Sequence, residues 1–118
     1  MIKRSNALVS ITPPADMTGR EGHFVDVNGA LTGADALPFG VITEVLPNGG
    51  DISVAVCAGG FAGTVTVKLA ENSQRGALLG SDANGQAADT ITGVAVQLLE
   101  DGQAGELCEA VIFRPVGA

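Results

Sequence analysis

Tryptophan and tyrosine are absent from this 118-residue chain, and histidine occurs once. Without large polar aromatics there is no stacking platform for sugar rings, so glycoside chemistry and carbohydrate binding are poorly supplied. A Ser-His or Cys-His dyad would have to use His23, whose Gly22-His23-Phe24 setting brings no partner to it. One histidine and two isolated cysteines, Cys57 and Cys108, cannot build an ordinary zinc site. Asp82-Ala-Asn84-Gly85 has the start of a calcium loop, but its glycine comes too early and no glutamate follows at the bidentate position. It reads as a hairpin turn.

Bases are scarce as well: six against thirteen acids, for a formal charge of −7. That balance repels phosphate backbones and anionic lipid, so neither nucleic acid nor a membrane surface is an expected partner. Long apolar runs are missing. The charged start Met1-Ile-Lys-Arg leads into no sustained hydrophobic segment, so no signal peptide is expected, and no stretch is long enough to span a bilayer as a helix. In that setting Cys57 and Cys108 are expected to be buried, reduced thiols in strand-like surroundings, with a disulfide as the alternative.

What the chain does have is glycine and aliphatic residues: 17 glycines, and 46% of residues apolar. Val, Leu, Ile and Ala suit closely packed strands. His23 to Val27, Phe39 to Leu46, Asp51 to Cys57 and Thr64 to Leu69 read as strands, separated by Asn-Gly pairs at 28–29, 48–49 and 84–85 and an Asp-Gly pair at 101–102. Gly59-Gly60 and Gly63, around Phe61, suit a bulge or a wide connection. A strand follows them, which argues against a phosphate-binding loop, since those feed a helix. The stretch Ala70 to Leu79 lacks an apolar face and supports at most a turn or short helix.

Two segments echo each other, Gly40 to Val56 and Gly93 to Val111. In each a glycine opens an aliphatic run, Asn-Gly or Asp-Gly breaks it, and an acidic plus an aliphatic residue (Asp51-Ile52, Glu106-Leu107) starts the return. The second copy carries Gln103 and Ala104 as an insertion at its tip. The echo is either a structural duplication or a chance likeness between two hairpins of one domain. The expected fold is therefore all-β: a small β-barrel or β-sandwich of about seven to nine strands with an internally repeated hairpin.

Residues 1–20 contain Pro13-Pro14 and three of the bases, Lys3, Arg4 and Arg20. They are expected to form an extended N-terminal arm or an irregular first strand ahead of a single domain at 21–118. The arm is either a solvated terminus or a cationic segment that docks on an acidic partner. Its residues Ile2, Lys3, Arg4, Ser5 and Asn6, with Arg20, are the candidate partner contacts. Carboxylates available for acid-base work, Asp51, Glu100, Asp101, Glu106 and Glu109, all fall at or beside expected turns. No catalytic set emerges, and an enzyme is not expected.

Lys68, in Val67-Lys68-Leu69, faintly resembles the swinging-arm lysine of biotinyl and lipoyl carrier domains, but it ends an alternating strand and lacks the flanking methionines of the biotinyl pattern. A broader likeness runs from Gly22 to Pro115. It rests on Gly40-Val-Ile with its Asn-Gly-Gly turn, Ile52-Ser-Val-Ala-Val56, Gly76-Ala-Leu-Leu-Gly-Ser-Asp-Ala-Asn-Gly85, Gly93-Val-Ala-Val96 and Ala110-Val-Ile-Phe-Arg-Pro115. This order resembles the small β-barrel proteins encoded beside the major capsid genes of tailed bacteriophages, several of which are capsid decoration or cement proteins. Residues 1–21 have no counterpart in it. The resemblance implies a structural virion protein, assembled in the host cytoplasm and placed on the outer capsid surface. Its partners would be the major capsid protein and further copies of itself, as dimer or trimer, and no cofactor is implied. The alternatives are another virion, tail or adhesin module, or a carrier or small-ligand-binding barrel.

Overall fold

The computed structural model describes residues 7–47, 50–58, 63–90 and 92–113. Among the described residues nine strands are formed: β1 Leu8–Ile11, β2 Phe24–Val25, β3 Gly40–Val45, β4 Ile52–Val56, β5 Thr64–Lys68, β6 Leu78–Ser81, β7 Ala87–Asp89, β8 Val96–Leu98 and β9 Leu107–Ile112. The expectation of an all-β fold holds. Ala70 to Leu79 forms bends and a turn before running into β6, with no helix.

All strand pairs are antiparallel and fall into two sheets, ordered β1-β4-β3-β2 and β5-β9-β8-β6-β7. Neither closes on itself, so the molecule is a sandwich and not a closed barrel. In both sheets the last strand of the unit lies between the first and the third, a Greek-key order. The units are β1, β2, β3, β4 and β5, β6, β8, β9, with β7 added as a hairpin on β6.

Residue alternation explains where the core lies. Along β3 and β4, Val41 and Ala55 join Val65, Val67, Leu79, Val96 and Leu98 of the second sheet in the core between the sheets. Their neighbours Ile42, Ile52 and Val54 point the other way, to a second cluster with Met17 and Val25 that Ile11, Leu31 and Phe39 cover. The first sheet is thus buried on both faces, which is why β4 reads as a nearly continuous apolar run. Each fully buried Val, Leu or Ile contributes about 1.5–3 kcal/mol of transfer free energy.

Both echoing segments pair as hairpins, β3 with β4 and β8 with β9, but not in the same register. Aligned by their opening glycines and return acids, Glu44 matches Gln97 and Ser53 matches Cys108. Glu44 does pair with Ser53, whereas Gln97 pairs with Val111. The outer partners keep the same register: Leu8 opposite Ala55 matches Val65 opposite Ala110, and Ile11 opposite Ile52 matches Lys68 opposite Leu107. The second tip accounts for the slip. Gly102 is drawn out of the hairpin into a two-way backbone bridge with Ser73, each bond 2.9 Å. The turn expected at Asp101-Gly102 falls instead at Ala104-Gly105, where the Glu106 amide donates to the Gln103 carbonyl at 3.0 Å.

The expected arm is partly absorbed into the body. Residues 7–20 supply β1 and the buried Met17, whose contact with Val25 and Ile42 places this segment over the first sheet.

Candidate interaction surface

The polar chemistry at the junction of the sheets is structural. The Gly22 amide donates to the Ile42 carbonyl at 2.8 Å, and the Lys68 amide donates to the Gly22 carbonyl at 2.9 Å, joining the two sheets through one residue. Gly22 has a φ of 82°, and a Cβ there would meet Leu107 and the Lys68 nitrogen, so the close approach requires glycine. His23 follows it, 2% exposed, with Nδ1 3.3 Å from the Glu21 carbonyl and Nε2 without a partner. Burial lowers its pKa below the ordinary histidine value, with Arg20 and Lys68 adding to the shift against the hydrogen bonds to Glu21 and Arg20.

Cys57 and Cys108 are both buried, as expected, and Cys108 is a free thiol. Burial, then Glu100 and Glu106, raises the Cys108 thiol, which disfavours the reactive thiolate. Four of the five carboxylates considered for acid-base work hold loops in place. Glu100 accepts from the Glu109 amide, Asp101 from the Arg75 amide, Glu106 from the Gln103 amide and Asp51 from the Thr12 hydroxyl. Asp82 likewise closes the turn before β7. Among the described residues no three His, Cys, Asp or Glu side chains stand close enough to hold a metal. Lys68 lies in the paired length of β5, opposite Leu107, and not at a hairpin tip.

A cleft of about 400 Å³ opens where β3 meets β5, with Ile42 and Val65 in it and Glu21, Thr43, Thr66 and Leu107 also lining it. Thr64 lines it too, and Thr43 is committed to the Ser53 carbonyl at 3.1 Å.

The more distinctive surface is β1. Among the described residues it pairs only with β4, and it is exposed on both sides: Leu8 is 59% exposed and Val9 37%. The Val56 amide donates to the Ala7 carbonyl at 2.8 Å. Alternation along an antiparallel ladder then turns Val9 and Ile11 toward β4 and directs the N–H and C=O groups of Leu8 and Ser10 outward. The other sheet edges are covered in part or in full. On β2, the Phe24 amide donates to Gly85 and its carbonyl accepts from Thr32. On β5, Lys68 donates to Gly22, and on β7 the Ala87 carbonyl accepts from Ala70 while the Asp89 amide is capped by Glu71. By contrast, Ala7 to Thr12 carries no charge, proline or glycine, the usual devices that keep an edge from pairing.

Of the candidate partner contacts, Arg20 is exposed at the end of the segment that covers the first sheet. Ile2, Lys3, Arg4, Ser5 and Asn6 lie outside the described residues, as do Asn48-Gly49, Gly59-Gly60 and Phe61. The sequence reading treated 8–11 as arm or irregular strand and did not single it out; the signal available was a short run of apolar residues next to cationic ones. No protein-family model matches this chain, and no curated protein matches it.

Proposed function

We propose that this protein is a structural component that binds the outside of a bacteriophage capsid and stabilises the shell by bridging capsomers. The observation that carries the reading is β1, an uncharged strand edge open to a partner on an otherwise acidic body. Strand addition at such an edge supplies main-chain hydrogen bonds, and the same weak contact repeated over a symmetric shell adds by avidity. The body suits the task. Two Greek keys share a core, and the carboxylates of Glu100, Asp101 and Glu106 cap backbone amides. Ile2 to Asn6 and Arg20 are the proposed partner-contacting residues, and the charge of −7 suits an outer face away from packaged DNA.

The test mixes purified protein with undecorated, expanded capsids of the phage whose major capsid gene lies beside its own. Stoichiometric binding and a higher shell-disruption temperature are expected. Binding to a tail or to a host cell with none to the head would replace this reading with the tail or adhesin alternative.

A further inference from the structure

We propose that Asp26 and Asp82 protect the asparagines two residues on, Asn28 and Asn84, from deamidation, so that two Asn-Gly turns that are chemically weak in an open chain are kept intact by the fold. Asn-Gly is the pair at which this reaction meets least hindrance, because glycine has no side chain beside the attacking nitrogen. Base removes the glycine amide proton, the nitrogen attacks the side-chain carbonyl carbon of the asparagine, the new C–N bond closes a five-membered succinimide ring, and ammonia leaves. Water then opens the ring at either carbonyl, giving aspartate or isoaspartate. The net change is asparagine plus water to acid plus ammonia.

Asn28 and Asn84 are exposed to water and base, but the glycines that would attack them are not. Gly29 and Gly85 are buried, and their amides donate to the Asp26 and Asp82 carbonyls at 3.0 and 3.2 Å. An amide that gives up its proton gives up that bond, so the turn must open first and the rate follows the opened population. The two carboxylates hold the turns shut: Asp26 Oδ1 accepts from the Asn28 and Ala30 amides, and Asp82 Oδ1 from the Asn84 and Gln86 amides. Each also sets a negative charge beside the asparagine amide, one residue from the nitrogen that would become an anion, and like charges at that range repel. The body depends on the intact turns. A Cβ at Gly29 would meet Ile11 and Pro13, one at Gly85 would meet the Phe24 carbonyl, and the Gly85 carbonyl accepts from the Phe24 amide at 2.7 Å. Isoaspartate, which lengthens the main chain by one methylene, would displace these contacts and disturb the covering of β2.

The full chain is incubated in mildly alkaline buffer, folded or in urea, and the conversion of Asn28 and of Asn84 is followed separately by peptide mass spectrometry. In the folded wild-type protein each site is expected to convert at least about tenfold more slowly than in urea, where the turns are open. The two turns then serve as controls for each other. Asp26→Ala is expected to speed conversion of Asn28 by about tenfold and leave Asn84 at its wild-type rate, and Asp82→Ala to do the reverse. Should either alanine variant fail to fold, Asp→Asn at the same position keeps an acceptor and loses the charge, and a smaller rise confined to the same turn is expected. Equal rates in the folded and urea-treated wild type overturn the proposal. So does a variant that speeds neither asparagine, or that speeds both alike, since a general loss of stability opens the two turns together.

Discussion

Asp26 and Asp82 close the same turn twice. Each carboxylate Oδ1 accepts from the amides two and four residues on, Asn28 and Ala30 at 2.9 and 3.1 Å, Asn84 and Gln86 at 2.8 and 2.9 Å. Each backbone amide donates to the carbonyl four residues on, at 2.8 Å in both, and each carbonyl accepts from the glycine, Gly29 or Gly85, which carries a φ of 83° or 78°. The turns follow β2 and β6, equivalent strands of the two Greek keys, so the Asp-x-Asn-Gly motif matches between the two keys more faithfully than the hairpins do.

Removing either carboxylate leaves two amides without their acceptor. Asp26→Ala and Asp82→Ala should each destabilise the protein by about 1–2 kcal/mol, measured by urea unfolding, while Asp→Asn at either site, which keeps an acceptor oxygen, should cost less. Equal stability of Ala and Asn variants would contradict the assigned role.

Gly40 has an ordinary backbone, but an added Cβ there would run into the Val54 side chain and the Ala55 carbonyl. Gly40→Ala should therefore cost about 1–3 kcal/mol through overpacking at the β3-β4 pairing. Gly33→Ala, where a Cβ meets nothing, is the control and should leave the melting temperature nearly unchanged.

His23 makes stability depend on pH. Its pKa is lowered in the folded protein, so the unfolded chain takes up a proton first as pH falls. The stability from keeping it neutral is present above the unfolded value of about 6.5 and is lost as pH drops through the folded one. Urea midpoints should fall between pH 7.5 and 5, and His23→Gln should flatten that slope. An unchanged slope in the variant would assign the effect to other groups.

Truncations separate arm from body. Removing residues 2–6 should leave the melting transition intact and abolish shell attachment. Removing residues 2–20 also deletes β1 and Met17, uncovering β4 and the Ile42-Val54 cluster, and should lower stability markedly. Retained attachment after the shorter deletion would move the capsid contact to the body.

Strand content and most turns were legible because they rest on local chemistry. Val65 and Val67 alternate with Thr64 and Thr66, and Asn-Gly supplies the positive φ that tight turns need. Register was not legible. The three-residue slip between the two hairpins depends on Gly102 pairing with Ser73, a contact between distant segments, and Gly102 read locally as a turn glycine. The choice between arm and irregular first strand was open for a similar reason: Leu8 to Ile11 is ordered by pairing with β4, and Met17 is buried because the first sheet has a second apolar face. As for the surface, the sequence pointed to the cationic N-terminus, while the open edge beside it became visible only in the register of β1 on β4.

The central claim is tested most directly by titrating the purified protein onto expanded, undecorated capsids and following shell disruption by calorimetry. Saturable, stoichiometric binding with a higher disruption temperature is the predicted result. A shell whose disruption temperature is unmoved, with the protein left in solution, would contradict it.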